Sequence, residues 1–408
     1  MALVDPAQLS EERCHLEGLG LTLTKVAGGV GLVVLALTFA MAFATGNEQN
    51  FYFSYLVNYA FFLSISLGAL GFVAIQHITR AGWSIVVRRI AEILASNVVL
   101  LAVLFIPLIL GITSLYHWTD TEHVIHDHFV GPKLPYLNVS FFLFRALIYF
   151  VIWCGLALFY FTKSKQQDES GDVELSLQME GVSGIGILLF ALTLTFASFD
   201  WLMSLDPHWY STMYGVYYFS GSMVAVFATM SMVAILLQNS GRLRRVITTE
   251  HYHDLGKFLF AFTVFWAYIA FSQYMLYWYA NKPETTGWYL LRQSGQWGYI
   301  SLFLIFGHFF IPFFGLLSRK PKRRRAFLLF WAIWMLVAHW VDIYWLVMPE
   351  FAKAIDAADK VPFSVYDIGC LIGIGGLYVA AFARWARGTA LTPIKDPRVG
   401  ESLMFENA

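Results

Sequence analysis

The chain has 408 residues, 58% hydrophobic and 18% aromatic, and only 13% are charged, about half the share usual in a soluble protein. Lys plus Arg and Asp plus Glu balance at 27 each, which argues against nucleic acid or a strongly charged substrate as partner. The three cysteines, Cys14, Cys154 and Cys370, lie far apart in no CxxC, CxxCH or ferredoxin-like spacing, so a zinc ribbon, covalent haem or an iron-sulfur cluster on this chain is not indicated.

A bilayer core needs roughly 20 apolar residues per helix, because no water is present to satisfy the backbone. Ten stretches meet this, which predicts an all-α integral membrane protein with spans near 21–45, 51–78, 89–115, 139–163, 182–205, 210–238, 256–280, 296–318, 326–348 and 364–386. The first is too long and glycine-rich for a plain signal peptide. Residues 1–20 are expected to form a cytoplasmic N-terminal segment, 21–388 the membrane domain, and 389–408 a cytoplasmic tail. Short loops rich in Lys and Arg stay inside. Alternating the spans puts 20 basic residues on one side, including the run Arg319 to Arg325, and five on the other. That asymmetry predicts a multi-pass protein of a bacterial cytoplasmic membrane with both termini inside.

Charged residues within a span are costly and mark candidate function. At about 1.5 Å per residue, Arg145 on the fourth span, Asp200 on the fifth and Asp342 on the ninth share one level below the outer surface. His339 lies one turn from Asp342 on the same helix face, and His308 on the eighth span is near the midplane. Asp367 starts the tenth span, and Asn58 joins the same outer layer. Two readings stand for this set: a structural ion pair, or a proton relay with or without a quinone pocket. His77, Glu92 and Lys257 form a smaller inner set, either snorkelling to the interface or extending a polar path. The stretch His117 to His128 holds four histidines and three carboxylates, read as a wet surface loop rather than a metal site. Only His308 and His339 are deep enough for haem, which gives a haem site little support.

Two stretches are more specific. One runs from Ala197 through Phe199-Asp200-Trp201 and Asp206-Pro207-His208-Trp209 to Gly215. The other runs from Ser272-Gln273-Tyr274 through Trp278 and Asn281 to Glu284. With Gly307-His308-Phe309, Pro312 and the segment His339 to Pro349, they resemble the integral membrane subunits of alternative complex III, a bacterial quinol:cytochrome c (or other periplasmic acceptor) oxidoreductase. That membrane type is also that of the NrfD and polysulfide-reductase subunits. The resemblance covers nearly all ten spans, and the short loops look like the ActF-like member. It implies two four-helix bundles, spans 2 to 5 and 6 to 9, flanked by spans 1 and 10. It also implies an ActC-like sister membrane subunit, a periplasmic iron-sulfur subunit and multihaem cytochrome c subunits as partners, with haem and iron-sulfur clusters on those chains.

The resulting expectation is a subunit of a quinol-oxidising respiratory or photosynthetic complex that braces the assembly and conducts protons; the resemblance implies that the ActC-like sister presents quinol to the iron-sulfur chain, with quinone or quinol a candidate non-covalent ligand here. No residue is assigned as catalytic and no metal is expected. Asp342, His339, Asp200, Arg145, His308 and Asp367 are the proton-path candidates. His77, Glu92 and Lys257 are those of the inner half, and Asp206 and His208 sit at the periplasmic mouth. The rivals are a proton-coupled small-solute transporter, which requires discontinuous helices in matching halves, and a purely structural anchor.

Overall fold

The computed structural model describes residues 12–407. Ten helices are long and apolar enough to cross a bilayer: α1 (Glu17–Ala44), α2 (Glu48–Ile78), α3 (Ile85–Leu110), α4 (Val139–Ser170), α5 (Val173–Leu205), α6 (Tyr214–Asn239), α7 (Thr249–Ala280), α8 (Trp297–Leu317), α9 (Arg325–Ala354) and α10 (Val365–Ala386). The described residues contain no strand. The protein is an all-α, multi-pass membrane protein.

α2 and α6 occupy the middle. α2 is buried along its whole apolar stretch and packs on α3, α5, α6, α9 and α10, while α6 also packs on α7. They meet at Gly68, where an added Cβ would stand 2.3 Å from the Ser222 carbonyl oxygen. In lipid, apolar surface alone does not drive helices together, so such close backbone approach supplies much of the packing. The glycines of α10 serve the same end. Gly373 and Gly376 abut α1 at Leu35 and Ala27, and Gly31 of α1 abuts the backbone of Gly373 and Leu377. The small residues of the tenth span therefore pack on α1, which otherwise leaves most of its surface exposed.

Several helices outrun their apolar stretches because local polar groups satisfy the extra turns. α4 starts at Asn138, whose side chain accepts from Phe141 N at 2.9 Å, and stops at Gly171 in the left-handed region. α9 continues through Pro349 to Ala354 rather than stopping near 348. Proline removes the N–H that would bond the Trp345 carbonyl. Arg292 replaces it, with Nε on Trp345 O at 3.2 Å and Nη2 on Leu346 O at 2.9 Å. α3 is not one regular helix but three pieces, broken around Asn97 and Leu104-Phe105 just before Pro107. α8 carries a π-helical segment, Leu304–Phe310. Pro312 excludes the carbonyl of His308 four residues back, and the widened turn takes up that clash.

The arginine-rich loops gather on one face, and the C-terminal stretch docks there as a lid. Leu391 N donates to Cys14 O, Ile394 N to Asp168, and Ser402 Oγ to Trp83 O. The opposite, arginine-poor face holds the histidine loop and the short helix Pro283–Gln293.

Candidate functional site

The spacing of His339 and Asp342 on α9 turns both side chains to the same buried stripe, and both are nearly sealed from solvent. Two donors converge on the Asp342 carboxylate. The Tyr217 hydroxyl of α6 donates to Oδ1, and Trp266 Nε1 of α7 donates to Oδ2 at 3.0 Å. No cation faces it. His339 is held from behind by Ser64 of α2, whose Oγ gives its hydrogen to Phe61 O at 2.7 Å and stands 2.9 Å from His339 Nε2. Because that hydroxyl hydrogen is committed, Nε2 carries the proton and Nδ1 is left as a bare acceptor. Nδ1 has no hydrogen-bond partner and lies 3.9 Å from Asp342 Oδ2, too far for a direct bond. Room for the imidazole comes from Gly221 of α6, where a Cβ would stand 2.7 Å from His339 Cε1. His308, in the π segment, packs edge-on against Trp266 with ring centres 3.8 Å apart, and neither of its nitrogens has a partner. Trp266 thus touches His308 with its ring and Asp342 with its N–H.

A cavity of about 520 Å³ opens beside this cluster. Its wall is mostly aromatic and aliphatic and comes from α6, α7, α8, α9 and the helix Pro283–Gln293. Tyr217 and Trp266, the two donors to Asp342, are part of it. Phe271 of α7 and Ile305 and Phe310 of α8 line it and are exposed on the outer surface of the helix bundle, so its mouth lies where acyl chains would be. Its volume is in the range of small-molecule sites, which are largely apolar with few placed polar groups.

Arg145 and Asp200, at the same expected depth, form a separate and closed unit. Arg145 Nε and Nη2 grip the two Asp200 oxygens at 2.8 Å each, and Nη1 donates to Tyr136 O at 2.9 Å. Tyr149 donates to Asp200 Oδ2 at 2.7 Å, and the guanidinium lies over the Tyr136 ring at 3.8 Å. Among the described residues no hydrogen bond or ion pair joins this unit to Asp342. Asp367 is an N-cap partner for α10: Oδ2 accepts from Ser364 N at 2.8 Å and Oδ1 from Ser54 Oγ at 2.7 Å. Asn58 bonds the Asp367 carbonyl at 3.1 Å and receives Trp340 Nε1 at 2.8 Å, tying α2, α9 and α10.

The inner candidates do not form one file. Glu92 is clamped by Arg88 at 3.1 Å and Arg89 at 2.8 Å, which reach on to Asp396 and Asp168 at 2.7 and 2.8 Å. Lys257 bonds Asp254 and Asn407 at the arginine-rich rim. His77 stacks on Tyr160 and borders a second cavity of about 240 Å³ with its Nε2 unpartnered. At the arginine-poor mouth, His208 Nε2 meets Asp127 Oδ2 at 2.8 Å, and Asp206 accepts from His208 N at 3.1 Å. The His208 bond, with the backbone N–H groups of Val130 and Phe129, pulls the Asp127 carboxyl down from 3.8 to about 2. Asp120 raises the His123 imidazole by the same kind of contact. Within the described residues no group of three or more His, Cys, Asp or Glu is gathered to hold a metal ion.

Sequence reasoning passed over Tyr217, Trp266 and Tyr289, which are three among 21 tyrosines and 14 tryptophans. It also read Arg88, Arg89 and Arg292 as loop charges, whereas all three are buried. A signal existed for Arg292 in the nearby Pro349, whose missing donor must be replaced. Compared with known proteins, the chain matches no family model and no curated protein.

Proposed function

We propose that this chain is a membrane subunit of a quinol-oxidising electron-transfer complex, of the ActF-like type of alternative complex III, that passes electrons to a periplasmic acceptor through partner chains. The observation that carries this reading is the bilayer-facing aromatic cavity whose wall includes both donors to Asp342. A quinol is apolar enough to enter from lipid, planar enough to lie among aromatic rings, and must lose two protons when it gives up two electrons. Tyr217 reaches both the cavity and the carboxylate. As the first quinol hydroxyl proton passes to the Tyr217 oxygen, the Tyr217 proton passes to Asp342 Oδ1, and the second follows through Tyr217 once Asp342 has handed the first to His339; the two electrons leave one at a time to one-electron acceptors on partner chains. His339 Nδ1, bare and one turn away, is the next acceptor. Arg145 and Asp200 brace the fourth and fifth spans. The haem and iron-sulfur partners, an ActC-like sister chain and a bacterial inner-membrane location belong to the same proposal.

Purification of the native chain from its own membranes tests it. Haem-bearing and iron-sulfur chains should copurify, and a density map should show a quinone ring between Tyr217 and Trp345. A chain that purifies alone with lipid in the cavity overturns the reading.

One observation favours a second reading. The third and eighth spans, in matching positions of two five-span halves, are both interrupted. Broken helices in matching halves are characteristic of secondary transporters. Uptake of a small solute, driven by a proton gradient in liposomes containing only this chain, would establish that alternative.

A further inference from the structure

Of the three tyrosines in the cavity wall, Tyr217, Tyr274 and Tyr289, the first and the last have hydroxyls held by protein partners with opposite hydrogen-bonding needs. Tyr217 has given its hydrogen to Asp342, so its oxygen is open as an acceptor. Tyr289, on the helix Pro283–Gln293, is the reverse. Ser211 Oγ donates to Gln273 Oε1 at 2.9 Å, and Gln273 Nε2 donates to the Tyr289 oxygen at 2.9 Å. With the amide in this orientation the Tyr289 oxygen is used as an acceptor. Its own hydrogen meets no protein acceptor among the described residues, while the buried Ser211 and Gln273 hold its oxygen from behind. A buried hydroxyl hydrogen without a partner is costly, and the cavity is the space left for one.

We propose that Tyr289 is a specificity-determining donor, and that the cavity takes a ring carrying oxygen at two ends. Tyr289 donates to one oxygen, and Tyr217 accepts from the hydroxyl at the other. This rests on the quinol reading of the cavity and narrows it to a para-hydroquinone and its quinone. Fatty acids fit poorly, because no Lys or Arg lines the wall to meet a carboxylate. A lipid with a single hydroxyl leaves either Tyr217 or Tyr289 unsatisfied. The Ser211–Gln273 pair acts through Tyr289, fixing which way its hydroxyl turns, and so is a positioning pair.

The test uses the purified complex in lipid nanodiscs under reducing conditions and measures binding of two probes, decylubiquinone held as its quinol and 4-decylphenol, which carries a single ring hydroxyl. Tyr289→Phe should weaken decylubiquinone binding about tenfold, as expected for one lost hydrogen bond, and leave 4-decylphenol unchanged. Gln273→Leu, which keeps the tyrosine but frees its orientation, should weaken decylubiquinone by a smaller factor. If Tyr289→Phe binds decylubiquinone as the parent does, the Tyr289 assignment is overturned while the quinol reading stands. Equal loss of both probes also overturns it, because that reports a deformed cavity. If the parent binds neither probe, the quinol reading falls and this assignment with it.

Discussion

Asp200 and Asp342 are both buried carboxylates near one depth, each bonded by a tyrosine, yet their surroundings differ in kind. Asp200 faces a two-pronged guanidinium and is closed on every side. Asp342 faces a phenol, an indole and an empty imidazole nitrogen, with no cation and with a cavity one side chain away. A paired carboxylate has little to gain from a proton, whereas an uncompensated one in a low-dielectric setting is suited to take it. Depth alone made these groups look alike. Partner chemistry separates a closed ion pair from an uncompensated carboxylate beside a cavity.

The sharpest way to break that contrast is to remove one cation. Arg145→Leu leaves Asp200 charged and unpaired, and about 3–5 kcal/mol of stability should be lost, seen as a large fall in thermal unfolding temperature in detergent. Arg145→Leu combined with Asp200→Leu should recover most of it. Asp342→Asn should behave in the opposite manner. It removes no charge partner and costs about 1–3 kcal/mol through the Trp266 donor it strands, but quinol-driven turnover should drop about a hundredfold or more, as for loss of a proton acceptor. Comparable turnover losses in Asp342→Asn and in the Arg145/Asp200 double variant would erase the distinction.

A smaller effect is expected from Gly221→Ala, whose new Cβ meets the His339 ring. Overpacking of about 1–3 kcal/mol should appear there. Gly181→Ala, on an open face with nothing within 4 Å, should be close to neutral by the same thermal measurement.

The smallest effect concerns the mouth. Asp127 is held at about 2 in the folded chain, so its bond to His208 stabilises the loop above the ordinary carboxylate range and is lost as pH falls from about 4 through about 2. Protection of the Phe129 and Val130 amides from hydrogen exchange, taken relative to the unstructured rate at each pH, should be high above pH ~5 and fall through that window, because both bond Asp127, at 2.8 and 3.0 Å. Asp127→Asn should remove the pH dependence.

The helices and much of the polar interior were legible before any coordinates. Ten apolar stretches found ten spans, and the i, i+3 spacing found His339 with Asp342. Equal depth brought Arg145 to Asp200, but also suggested company with Asp342 that the helix rotations deny. What stayed hidden has physical reasons. Tyr217 and Tyr289 are chosen by where their hydroxyls point, which no count of tyrosines reveals. Arg88 and Arg89 belong to the arginine-rich face and are nevertheless buried beneath the docked tail, because Asp168, Glu92 and Asp396 meet them there. Helix ends moved for a similar reason. Apolar runs mark where lipid contact stops, whereas capping groups such as Asn138 and substitute donors such as Arg292 decide where the helix does.

The most direct measurement is redox-difference infrared spectroscopy of the native complex with carboxyl-labelled aspartate, recorded as bound quinol is oxidised. A protonated aspartic-acid band should appear on oxidation and vanish in Asp342→Asn. A spectrum without that band, or one in which it persists unchanged in Asp342→Asn, would contradict Asp342 as the proton acceptor.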